Sequence, residues 1–191
     1  MENDSPKVMT YGQRLLLHVC CAPCSGAIIE ALDKEGVKPV VFFSNSNIVP
    51  REEYDLRLAE CKRYCSKFGI TVVEDDYDHA AWREAVKGFE HEPERGERCL
   101  RCFRYRLERG AKYAAQHGLD TLTTSLASSR WKDLEQVDAA GGFACGLFPG
   151  VQWWGNNWRK GGLQQRRNEI IKEQNFYNQT FCGCEFSHYD K

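Results

Sequence analysis

The chain has 191 residues, 42% of them hydrophobic and 28% charged, with a formal net charge of −1. A chain of this size buries one good core and leaves little for a second domain, and its near-neutral charge argues against indiscriminate nucleic-acid binding while allowing a local basic face. No apolar run approaches the roughly 20 residues a membrane helix needs, and the opening MENDSPKVMTYGQ has no apolar core of a secretory signal, so a cytoplasmic protein with no membrane association is expected.

Along the chain, RLLLHVC from Arg14 to Cys20 is a short continuous apolar run, followed by CAPCSG and a helical stretch to Gly36, the pattern of a buried parallel strand, a turn and a helix. KPVVFFS at 38–44 predicts a second strand and 51–68 an amphipathic helix stopped by Gly69. A third strand at 70–74 and a helix at 80–89 follow, then a charged loop at 91–98 and a long helix at 99–117 closed by Gly118. DTLTTSL at 120–126 predicts a fourth strand, with Ser128 or Ser129 as cap of a helix from Trp131 towards Ala140 and a last helix at 161–175. The Trp-rich stretch 151–158 and the cysteine-containing C-terminal tail read as decorations. This alternation implies one α/β domain over 1–191, an open parallel sheet flanked by helices on both faces, with ligands beyond the carboxyl ends of the strands.

Ten cysteines in a chain expected in a reducing compartment point to metal or redox work rather than disulfides. Seven fall in three clusters: Cys20, Cys21 and Cys24; Cys99 and Cys102; Cys182 and Cys184. Cys99 and Cys102 share a helix face, and Gly183 lets the backbone between the last pair approach a bulky cofactor. Cys24 at a helix N-terminus is favoured as thiolate. Cys61, Cys65 and Cys145, standing apart, read as core. One zinc takes four ligands, usually spaced by two to four residues, whereas adjacent Cys20 and Cys21 and a one-residue gap at Cys182 depart from that pattern. A 4Fe-4S cluster uses four thiolates and leaves three for a second centre.

Six blocks of the sequence carry a resemblance: LLLHVCCAPCSG at 15–26, SNSNIVPREEY at 44–54, RCLRCFRYRLE at 98–108, TTSLASSRWKDLEQV at 123–137, NNWRKGGLQQRRNEI at 156–170 and FYNQTFCGCEFS at 176–187. In order and spacing, over nearly the whole chain, the sequence resembles the epoxyqueuosine reductases of the cobalamin-independent QueH type. The resemblance implies a sheet related to the nucleotide α-hydrolases, of the HUP or Rossmann-like kind, carrying a 4Fe-4S cluster beside an adjacent mononuclear iron. The implied reaction reduces the epoxide of epoxyqueuosine in a tRNA anticodon to the alkene of queuosine, with electrons from an external donor. By motif, Cys20, Cys21, Cys99, Cys102, Cys182 and Cys184 are the expected ligands of the cluster and the second metal, with Cys24 also a metal ligand and the division between the two centres left open. Removing the oxygen takes two electrons and protons, and Asp133 and Tyr177 are the candidate acids. His18 is also in reach of that role, but in an apolar strand it reads first as a hydrogen-bonded core residue.

For the RNA, Trp158 with Arg159, Lys160 and Arg166 combines a stacking face with phosphate-binding charge, and Trp153 and Trp154 weigh evenly between stacking and packing. The arginines from Arg98 to Arg109 form a second candidate basic face. Three rival functions remain. An ATP-using tRNA-modifying enzyme needs a glycine-rich loop after the first strand, where this chain has CCAPCSG. An iron–sulfur desulfidase acting on thiolated bases could share the cysteine pattern, and a zinc-stabilised RNA-binding module would lack iron.

Overall fold

The structure, a computed structural model, describes residues 14–187; the polar opening stretch on which the expectation of no secretory signal rests lies outside the described residues. Five strands, β1 (Leu15–Val19), β2 (Val40–Phe43), β3 (Val72–Glu74), β4 (Thr121–Thr124) and β5 (Gln152–Trp153), form one sheet of order β3-β2-β1-β4-β5. Every neighbouring pair is parallel, so all carboxyl ends meet at one edge. Among the described residues six helices flank it: α1 (Ala22–Lys34), α2 (Arg51–Ser66), α3 (His79–Ala85), α4 (Glu97–Gln116), α5 (Leu134–Gly146) and α6 (Leu163–Glu173). Helix α1 packs with α2 and α6, and α4 with α3 and α5, two groups that cover the sheet. All five residues of β1 are buried, which is why its sequence runs apolar without alternation.

The chain order reverses direction in the sheet between β1 and β4, the switch point where open α/β sheets leave a crevice. His18 ties the strand ends together there. Its Nδ1 accepts from the Thr124 hydroxyl at 2.7 Å and its Nε2 donates to the Ser44 carbonyl at 3.1 Å. Burial, reinforced by the Arg106 charge, lowers its pKa to about 3. The imidazole is a neutral strut in the core.

Two expectations need correction. The stretch read as a decoration contributes β5, pairing Thr121 with Gln152 and Leu122 with Trp153; a two-residue strand is too short to show a period. The helix expected from Trp131, capped by Ser128 or Ser129, begins instead at Leu134. Asp133 caps it by accepting the Gln136 amide at 3.1 Å, and Ser125–Ser128 forms a separate 3₁₀ turn whose Ser128 hydroxyl donates to the carbonyls of Cys24 and Ser125. Asp is as good a cap as Ser, and tertiary bonds decide between them. Helix α5 then crosses Gly141, where an added Cβ would lie 2.2 Å from the Trp153 ring; the glycine is what lets β5 close on the sheet.

Candidate metal centre

All ten cysteines are free thiols. Strand β1 ends at Val19 and α1 begins at Ala22, with Pro23 pre-set for the first turn, so Cys20, Cys21 and Cys24 gather at the helix N-terminus beside the switch point. Their three sulfurs lie within 4.8 Å of one another, Cys20 and Cys21 at 3.7 Å. Across the crevice, the Cys20 amide donates to Ser125 Oγ at 3.1 Å and the Ser125 hydroxyl points to Cys20 Sγ at 3.5 Å. Hydrogen bonds from Cys21, then from Cys24, hold the Cys20 thiol well below its ordinary range. Burial pushes the Cys21 thiol up, while donation to Cys20 is the main cause that raises Cys24 to about 12. Within the triad the thiolate is favoured at Cys20 rather than at Cys24, where the helix N-terminus alone would place it.

The other four thiols form a separate site. Helix α4 starts after Gly96 and places Cys99 and Cys102 one turn apart, facing the tail that carries Cys182 and Cys184. The four line one cavity together with Trp82, Phe103 and Lys132. Burial pushes Cys99 up and Cys184 to about 12. For Cys182 burial acts in the same direction, but the Lys132 ammonium, donating to its sulfur at 2.8 Å, outweighs it and the thiol is lowered.

The tail has no regular structure of its own and is held by side chains. Arg57, 3% exposed and paired to Glu53 at 2.5 Å, donates to the carbonyls of Cys182 at 3.0 Å and Phe181 at 3.3 Å. The Val49 amide donates to the Gly183 carbonyl at 2.9 Å. Gly183 has φ +99, and a Cβ there would lie 2.9 Å from Ile48 Cγ1. The glycine is therefore required by the approach of Ile48 and by its backbone.

Arg106 links the two thiol groups electrostatically. Buried in α4, it donates to the Ser44 carbonyl at 3.1 Å and to Asn45 Oδ1, and its charge favours the thiolate at both Cys20 and Cys182. Sequence reading placed it on a basic face and missed Lys132 altogether; neither residue has a spacing that marks it. Two of the five arginines of that face turn inward and two more are paired to carboxylates. Arg98 is buried, donating to the carbonyls of Glu90 and Glu92, Arg101 pairs with Glu97, and Arg109 pairs with Asp75.

The other candidate residues are dispersed. Trp158 is 3% exposed and donates to Thr123 Oγ1 at 3.3 Å, so it packs in the core and offers no face to a base. Trp153 donates to Asp138 and Trp154 meets Trp158 edge-on. Arg166 is committed to three carboxylates, those of Glu30, Glu169 and Glu173. Arg159 donates to the carbonyls of Ser129 and Lys132, bracing the loop before α5. Lys160 is exposed. Asp133 is occupied as the cap of α5. Tyr177, 37% exposed, donates to Glu53 at 3.1 Å, the carboxylate that also pairs with Arg57. Cys61, Cys65 and Cys145 are buried core residues, as expected.

Fold and site define an all-parallel α/β protein with two groups of free thiols, at least one tight enough to hold a metal ion, at and near the carboxyl ends of its strands. A family model described as "Epoxyqueuosine reductase QueH" matches residues 15–190. The chain is 46% identical over 174 residues to the epoxyqueuosine reductase QueH of Haemophilus influenzae, covering 91% of this chain and 71% of the relative. It is 45% identical over 174 residues to the protein of that name from Histophilus somni, covering 91% and 72%, and 44% identical over 181 residues to that from Acinetobacter baylyi, covering 95% and 83%. The chain belongs to the epoxyqueuosine reductase QueH family, a family of oxidoreductases. Among the described residues no helix is long and apolar enough to cross a membrane.

Proposed function

We propose that this protein reduces the epoxide of epoxyqueuosine in a tRNA anticodon to the alkene of queuosine, taking two electrons from an external donor and two protons and releasing the oxygen as water. The observation that carries the reading is the division of seven thiols into a quartet around a cavity and a tight triad at the switch point.

The donor set fits the metals the family resemblance implies. A single metal with metal–sulfur bonds of about 2.3 Å sets tetrahedral thiolates roughly 3.8 Å apart, and Cys20 and Cys21 stand at 3.7 Å. Cys20, Cys21 and Cys24 would hold the mononuclear iron. Cys99, Cys102, Cys182 and Cys184 supply the four thiolates a 4Fe-4S cluster takes. Trp82, which lines the same cavity, has its Nε1–H buried and without a hydrogen-bond partner among the described residues, a donor that acceptor sulfur would satisfy. When bound, such a pair of centres supplies electrons singly and a Lewis-acidic position for oxygen. The chain's own groups prepare the site: Lys132 and Arg106 compensate thiolate charge in a buried setting, and Arg57 anchors the tail that carries two ligands.

The test is iron and acid-labile sulfide on protein purified without oxygen, followed by nucleoside analysis of tRNA incubated with protein and reductant. About four or five irons and four sulfides per chain are expected, with epoxyqueuosine converted to queuosine. Zinc without sulfide would overturn the cofactor assignment. Sulfide release from thiouracil without epoxide loss would establish the desulfidase.

A further inference from the structure

The loop between the 3₁₀ turn and α5 carries Trp131, 67% exposed, the most exposed of the large hydrophobic side chains among the described residues. A lone exposed hydrophobic residue is ordinary; its mounting is not. All four consecutive carbonyls from Ser129 to Lys132 are held by guanidinium groups. Arg159 donates to Ser129 O at 2.6 Å and Lys132 O at 2.8 Å, and Arg95 donates to Arg130 O at 2.8 Å and Trp131 O at 3.3 Å. Asp133 fixes the far end as the cap of α5.

The same loop is fastened to the thiol quartet on two sides. The Arg95 amide donates to Cys99 Sγ at 3.3 Å, and Lys132, the residue after Trp131, donates to Cys182 Sγ. Arg95 does this from a left-handed backbone, φ +68, a conformation seldom kept by a non-glycine residue unless its surroundings enforce it. The indole is therefore carried on a preorganised support, one residue before the cavity-lining Lys132, with the exposed cations Arg95 and Arg130 on the same support. A flat aromatic face flanked by positive charge is the arrangement on which unpaired RNA bases stack while their phosphates are neutralised.

We infer that Trp131 is a stacking platform for an unpaired base of the anticodon loop, holding the modified nucleotide or its neighbour at the mouth of the thiol-lined cavity. This deepens the reading of the protein as a tRNA reductase and rests on it. It also relocates the aromatic contact from the Trp153–Trp158 stretch, whose rings are engaged in packing.

The test uses anaerobically purified holoenzyme and an anticodon stem-loop RNA carrying epoxyqueuosine, with dissociation constants from fluorescence anisotropy over a range of salt. Trp131→Ala is expected to weaken binding about fivefold to 150-fold, the range found for loss of one base–aromatic stack. Trp131→Phe recovers most of it. Iron content, thermal midpoint and the slope of affinity against salt stay as in the parent, because the side chain is exposed and carries no charge. Parent-like binding by Trp131→Ala overturns the inference while leaving the reductase reading intact. So does a loss that phenylalanine fails to restore, or one accompanied by loss of iron or by a changed association state, since these mark a structural or self-association role. If the parent protein neither binds nor converts the stem-loop, the reductase reading fails and the stacking role with it.

Discussion

Gly183 offers the sharpest test of how the tail is held. In Gly183→Ala the residue must either keep φ +99, which costs an L residue about 1–3 kcal/mol, or rotate and lose the Val49 amide as partner. Its Cβ would stand 2.9 Å from Ile48 Cγ1 and 3.3 Å from both Ile48 Cγ2 and Arg57 Nη1. Ile48 is 1% exposed and has little room to move, so overpacking adds about 1–3 kcal/mol. The sum, roughly 2–6 kcal/mol, falls on docking of the tail rather than on the sheet. Even 2 kcal/mol shifts the docked to undocked ratio about thirtyfold, at 1.4 kcal/mol per factor of ten. The Val49 amide is the local reporter: its hydrogen-exchange protection is expected to fall at least about tenfold while amides of β1 keep theirs, and iron content to drop because Cys182 and Cys184 leave with the tail. Parent-like protection at Val49 together with a full metal complement would refute the reasoning.

Three further outcomes follow from named contacts. Lys132→Met removes a positive charge and an N–H···S bond beside Cys182; the reduction potential measured by spectroelectrochemistry is expected to fall on the order of 100 mV, from a unit charge about 5 Å away at an effective dielectric of about 20, while Lys132→Arg retains most of it and an unchanged potential in Lys132→Met counts against the ligand role of Cys182. Arg166→Ala is expected to leave tRNA affinity and its salt slope unchanged, because the guanidinium is neutralised by Glu30, Glu169 and Glu173; a slope reduced by about one would restore it as a phosphate contact. Hydrogen bonds from Arg166 first, against the opposing effect of burial, and then from Tyr64 hold the Glu30 carboxyl below its ordinary 4.5. The folded state therefore binds this proton less readily than the unfolded chain, so its contribution is present above about pH 4.5 and is lost as pH falls below it. Urea midpoints measured from pH 7 to pH 4 should accordingly fall less in Glu30→Gln than in the parent, and parallel curves would rule out this carboxylate as the cause.

What could be read directly from the residues was local and periodic. The apolar run at 15–19 announced a strand buried on both faces, and parallel pairing followed from its alternation with helices. Clustering separated the seven cysteines that gather at the triad and the cavity from Cys61, Cys65 and Cys145, which pack in the core. The motif order was specific enough to indicate the family.

Which charges and rings face outward was decided only by the tertiary structure. Arginine in sequence looks the same whether it meets phosphate or a buried carbonyl, yet Arg106 and Arg98 close internal polar groups and Arg166 meets three carboxylates from two helices. Trp158 and Trp131 are equally aromatic on paper. One fills the space against β4 and the other stands in solvent on a loop clamped by Arg95 and Arg159, which lie 36 residues before and 28 after it in the chain. Lys132 meets Cys182 across 50 residues. Such pairings carry no period and no spacing, since they arise from the packing of segments whose separation along the chain is arbitrary, and so the thiols were legible as a set while their partners were not.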